Sequence, residues 1–178
     1  MLTTQGTEPD PHADHVPAAE LREIGLFGAL SDEVLAELSA ALPVLAVSAG
    51  QVLFRESDPA RELYVIADGE VEIVKHSSRG HDVRVAMLGP HDCFGEMSML
   101  DVQPRSAMAR TLAPSRLIVF GARDLDALYR RDVKSYAIIV LNLAREMARR
   151  LRVADRLIAE FMLHTTDSYV DRRRGTPR

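Results

Sequence analysis

A chain of 178 residues, 47% apolar and 27% charged, is long enough to build one globular domain with short extensions, without help from disulfides or metal. Its single cysteine, Cys93, excludes a disulfide framework and a multi-cysteine zinc or iron–sulfur centre, and fits a reducing, cytoplasmic setting. A net charge of −4 with no tryptophan argues against nucleic acid as the partner, and the longest uncharged run of the C-terminal half, Ser135–Ala144, falls far short of the ~20 residues that span a bilayer.

Residues 1–17 are acidic, rich in Pro and His, and free of apolar periodicity. They read as a disordered tail and, having no basic start and no apolar run, not as a signal peptide. Residues 18–131 form the predicted domain. A short helix over Ala18–Ile24 ends at Gly25, and Leu26–Leu30 is an apolar turn. Ser31 then caps a second helix, with Asp32 and Glu33 in the first turn where the helix dipole favours carboxylates. Val34, Leu35, Leu38, Ala41 and Leu42 share one face of it, and Pro43 stops it.

From Val44 to Phe120 short β-rich runs alternate with turn signals every 8–12 residues, the rhythm of an all-β sandwich or barrel. Asp68-Gly69, between Leu63–Ala67 and Glu70–Lys75, is the strongest hairpin signal. Val71 and Ile73 alternate with Glu70, Glu72 and Lys75, which turns one face inward. After Gly121 the period becomes helical. Ala122–Arg130 is a short helix, and Asp132 caps a long one predicted over residues 132–164. On it Ala137, Val140, Ala144, Met147, Leu151, Ala154, Ile158 and Phe161 form a heptad seam, which predicts a homodimer through this helix. Residues 165–178 read as a flexible basic tail.

Chemistry concentrates where the strand pattern breaks. Gly95 admits close backbone approach. Glu96–Leu100 suits one helical turn whose first N–H groups favour an anion. Arg105 offers a planar fork for phosphate oxygens and Ser106 a hydroxyl. Glu96 beside such a site repels phosphate but accepts a hydrogen bond from a sugar hydroxyl. A ribose carrying its own phosphate satisfies all of these residues together. His76, His81 and His91 include no His-x-His pair with a following carboxylate, and no nucleophile triad has local support, so the chain reads as a binding protein and not as an enzyme.

The Asp68-Gly69-Glu70 turn, Leu88-Gly89-Pro90, the Phe94-Gly95-Glu96 cassette, Arg105-Ser106-Ala107 and Met147–Leu151 together resemble the cyclic nucleotide-binding domain family, in particular the sensor domain of bacterial catabolite activator-type regulators. The likeness runs from about Leu26 to Phe161. It implies an eight-stranded jelly roll, mainly β, with N-terminal helices and a long C-terminal helix. It also implies that Glu96 takes the ribose 2′-hydroxyl and Arg105 the cyclic phosphate, with Ser106 and the amides near Glu96, Met97 and Ser98 completing the phosphate site. His91 stands where the family often has a turn glycine, and Cys93 where a larger apolar residue is common. Where the activator branch sets two hydroxyl residues against the purine, this chain has Ala154 and Asp155. Asp155 can accept from an adenine amino group, and Ser106 suits either purine, so cAMP and cGMP both remain open as ligand. No winged helix-turn-helix follows the long helix. The expected protein is therefore a stand-alone sensor without its own DNA-binding domain, relaying occupancy to an effector protein. The competing expectation is an interaction module of the same fold whose pocket no longer binds a cyclic nucleotide.

Overall fold

A computed structural model of the chain describes residues 15–77 and 80–174, with side chains as far as Leu163. Most of the expected N-terminal tail, and residues 175–178 of the basic one, lie outside the described residues. The chain divides into two units, Met1–Val140 and Leu141–Arg178.

The first unit opens with α1 (Ala18–Glu23), a single 3-10 turn at Gly25–Phe27 and α2 (Asp32–Ala41). Ser31 caps α2 as its sequence predicts, its hydroxyl accepting from the Val34 amide. Val34, Leu35, Leu38 and Leu42 are buried, whereas Ala41 is exposed. Phe27, fully buried, meets Phe120 edge-on at 6.1 Å between ring centroids, which fastens the helical lead-in to the β structure.

Among the described residues the chain forms eight strands in two antiparallel sheets: β1 (Val44–Val47), β2 (Val52–Phe54), β3 (Glu62–Asp68), β4 (Val71–His76), β5 (Asp82–Leu88), β6 (Cys93–Phe94), β7 (Met108–Thr111) and β8 (Ser115–Gly121). One sheet has the order β1-β8-β3-β6, the other β2-β7-β4-β5. This is the predicted jelly roll. Val47, Ile66, Val71, Phe94, Ala109 and Leu117, drawn from both sheets, fill its core.

The topology corrects the reading of Asp68-Gly69. β3 and β4 flank it but belong to different sheets, so it is a corner between layers and not a hairpin. Gly69 has φ +103° and lies over Ser115, whose Cα would sit 2.7 Å from an added Cβ. The glycine is demanded by this close crossing as well as by its backbone angle. The ladder hairpin is β4–β5, with Val71 opposite Leu88 and His76 opposite Asp82. A second correction concerns Glu72. Its alternation places it away from the core, yet the residue is 1% exposed, because Arg84 from β5 and Arg110 from β7 close over it.

After β8 come α4 (Ala122–Arg131) and α5 (Val133–Arg174). Asp124 accepts from the Gly121 amide at 2.7 Å and so anchors the start of α4. Asp132 accepts from the Lys134 amide and the Ser135 hydroxyl at the start of α5. The backbone of α5 stays helical to Arg174, beyond the predicted end near His164. No glycine or proline falls within residues 133–174, so nothing local forces an earlier stop. In the second unit Arg150 and Arg149 pair with Glu146. Leu151, Leu157, Ile158 and Phe161 are all more than half exposed.

Candidate ligand site

β6 is only two residues long, but its pairing with β3, Phe94 opposite Tyr64 and Cys93 opposite Val65, sets the start of the cassette firmly in the sheet. His91, at φ +73°, makes the turn before it. A histidine tolerates that conformation better than a β-branched residue does. Cys93 is buried, as a small apolar residue would be.

Gly95 follows with φ +81°. A Cβ here would lie 2.4 Å from Arg105 Nη1, so the glycine is what lets the guanidinium rest against the cassette backbone. Glu96, buried, precedes α3 (Met97–Leu100), the predicted single turn, and its carbonyl accepts from Met99 and Leu100. The first amides of that turn have no intrahelical acceptor. Ser98 is buried and Met97 half exposed.

Arg105 is a buried cation. Its residue is 3% exposed. Nη1 donates to the carbonyls of Glu62 (2.8 Å) and Gly95 (3.0 Å), bridging β3 to the cassette. Nη2 donates to Glu62 Oε1 at 3.0 Å. Its Nε, also buried, has no hydrogen-bond acceptor among the described residues. The guanidinium carbon lies 4.0 Å from the centroid of Phe54 and 5.7 Å from that of Tyr64, a cation over aromatic faces. Burial pushes the Arg105 pKa below the ordinary arginine value, with Glu62 opposing the shift. The main chain of Arg105 is strapped to the turn before β3: its amide donates to Asp58 O and its carbonyl accepts from Ser57. Lys75 Nζ holds the next carbonyl, that of Ser106, at 2.7 Å.

Gly95, Glu96, Met97, Ser98, Arg105 and Ser106 all belong to the first unit. Gly95 touches Arg105, and the exposed Ser106 donates its hydroxyl to Met97 Sδ at 3.5 Å. Asp155, exposed, belongs to the second unit. The sequence reading missed Glu62, Phe54 and Tyr64. The two aromatic residues look like ordinary strand residues, and Glu62 is a single carboxylate at the start of a strand. Only the fold brings them to Arg105: Glu62 and Tyr64 lie on β3, beside β6, and Phe54 ends β2 in the other sheet. Tyr64 donates its hydroxyl to the same Glu62 oxygen at 3.3 Å. Burial, then the negative charge of Glu62, push its pKa up to about 12, which keeps it a donor.

The β roll thus buries Arg105 against a glycine-led helical turn. Residues 44–132, half of the chain, match the family model for the cyclic nucleotide-binding domain, and the chain belongs to this family. It is 31% identical over 142 residues to a CRP-like cAMP-activated global transcriptional regulator of Mycobacterium tuberculosis, covering 80% of this chain and 62% of that one. It is 38% identical over 106 residues to the cyclic AMP receptor protein of Thermus thermophilus, covering 60% of this chain and 47% of that protein. A cyclic nucleotide-binding domain from Methylobacillus flagellatus KT superposes with a TM-score of 0.75 at 28% identity, over 80% of this chain and 83% of that one. The chain thus spans less than two thirds of the length of these two regulators. Among the described residues no helix is long and apolar enough to cross a membrane, and no cluster of His, Cys, Asp and Glu is arranged to hold a metal ion.

Proposed function

We propose that this domain is a cyclic nucleotide sensor, with cAMP as its first ligand and cGMP as the alternative. The observation that carries the reading is Arg105: a buried cation, caged by Phe54 and Tyr64, whose Nε has no acceptor among the described residues. A cyclic phosphodiester supplies the missing acceptor and a negative charge together. Ser106 and the first amides of α3 complete the phosphate contacts, and Glu96 accepts from the ribose 2′-hydroxyl. The relatives named for cAMP support that choice of nucleotide. Asp155 on α5 is the residue proposed to favour an adenine amino group.

In this reading α5 pairs two copies of the chain along the exposed Leu151, Ile158 and Phe161, and nucleotide occupancy biases that pairing toward a form an effector protein recognises. Calorimetric titration with cAMP, cGMP and 2′-deoxy-cAMP tests the sensor. Saturable binding is expected, weaker for the deoxy analogue. No heat with any of them would leave a silent interaction module of the same fold. Sedimentation tests the pairing: Leu151→Asp sets two carboxylates face to face in the seam, and a monomer is expected. An unchanged dimer would place the interface elsewhere.

A further inference from the structure

Arg105 already has an anion. Glu62 Oε1 accepts from Arg105 Nη2 at 3.0 Å and from the Tyr64 hydroxyl at 3.3 Å. The two partners differ in burial: the Arg105 side chain is 2% exposed and that of Glu62 is 36% exposed. The cation is fixed by two carbonyls and an aromatic cage, whereas the carboxylate reaches water. A ligand phosphate meeting Nε, which has no acceptor among the described residues, therefore meets a guanidinium that already faces one carboxylate, a nitrogen away. At this range, near a protein surface, like charges repel appreciably.

We propose that Glu62 is a charge filter for the site. It leaves Arg105 enough attraction for a phosphodiester carrying one negative charge and rejects phosphomonoesters carrying nearly two. This rests on the reading of Arg105 as the partner of the ligand phosphate. The repulsion scales with ligand charge, so Glu62 discriminates by charge and not by shape. It separates a cyclic nucleotide from its own hydrolysis product, the 5′-monophosphate, which has the same base and sugar.

Glu62→Gln keeps an oxygen to accept from Arg105 and Tyr64 but removes the charge. Affinities for adenosine, cAMP and 5′-AMP are measured by displacement of a fluorescent cAMP analogue, on wild type, Glu62→Gln and Glu62→Asp. Melting curves confirm that each variant is folded. In the glutamine variant, adenosine is expected to be unchanged, cAMP to bind about tenfold more tightly, and 5′-AMP to gain more, about a hundredfold, because its charge is nearly double. The aspartate variant, still charged, should keep the wild-type order and spacing. An equal change for all three ligands would reveal a merely structural role and overturn the filter. So would unchanged or weaker cAMP binding in the glutamine variant while wild type binds. If neither wild type nor the glutamine variant binds cAMP, the sensor reading fails and takes the filter with it.

Discussion

Two buried charges, one toward each sheet, are built in opposite ways. Glu72, on β4, is a carboxylate with a surplus of partners. Arg84 Nε donates at 2.7 Å and Arg110 Nε at 2.7 Å, and Arg110 Nη2 closes on the same oxygen. Both arginines are about half exposed. The Arg110 hydrogen bond, with Arg84 adding to it, pulls the Glu72 pKa below the ordinary glutamate value against the upward push of burial. Arg105 is a cation with a deficit. Among the described residues it has one partly exposed carboxylate, two carbonyls and a buried Nε without an acceptor. A buried charge with both of its oxygens answered ties strands together. A buried charge left one partner short is a candidate for binding and not for bracing.

Substitutions at the two places should therefore separate stability from binding. Arg105→Ala should abolish most cyclic nucleotide affinity, about 2–5 kcal/mol or 30- to several-thousand-fold, with the fold retained by circular dichroism. Near-wild-type titration of that folded variant would erase the contrast. Glu72→Gln should do the reverse, lowering unfolding stability by about 1–3 kcal/mol and leaving ligand affinity unchanged. The sign with pH follows from the depressed pKa. The contribution of Glu72 is complete above the unfolded-state value of about 4.3 and is lost as pH falls through the lower folded value. Denaturation curves of wild type and variant should thus converge in acid. Gly95→Ala sharpens the Arg105 side of the contrast. Its φ of +81° alone disfavours a side chain by about 1–2 kcal/mol, and the new methyl displaces Nη1, so both melting temperature and affinity should fall. The smallest effect belongs to Val102, a β-branched residue at φ +57° in the loop between α3 and Arg105, 85% exposed. Val102→Gly should stabilise the fold by about 1 kcal/mol. An unchanged or lower melting temperature would show that the loop does not hold this angle in solution.

What could be read from the sequence was local. Ser31 announces its helix because the cap lies three residues from the amide it accepts from. Gly95, Glu96 and Arg105 announce the cassette because they lie close together in the sequence and their residue types break the strand pattern. What could not be read depends on partners far along the chain. Asp68-Gly69 has the residues of a hairpin, and only Ser115 beneath Gly69 turns it into a corner between sheets. Glu72 alternates like a solvent-facing residue, and only the register of β4 with β5 and β7 brings Arg84 and Arg110 over it. Glu62 has no local mark at all. Its role comes from β3 lying beside a two-residue strand. Strand polarity thus misled at Glu72, where ion pairs, and not water, cover the outer face.

The sheet order has a consequence for how the chain becomes a protein. β1 pairs with β8 and β2 with β7, so the first strands made wait for the last. Val44 finds Ile118, and Val52 finds Arg110, only after the intervening cassette has been synthesised. Long-range pairing of this kind closes large loops before it gains contacts, which places such folds in the slow, millisecond-to-second range. Until then β1 and β2 are nascent edges with no partner, and a chain cut short anywhere before Met108 would leave both unpaired and prone to self-association.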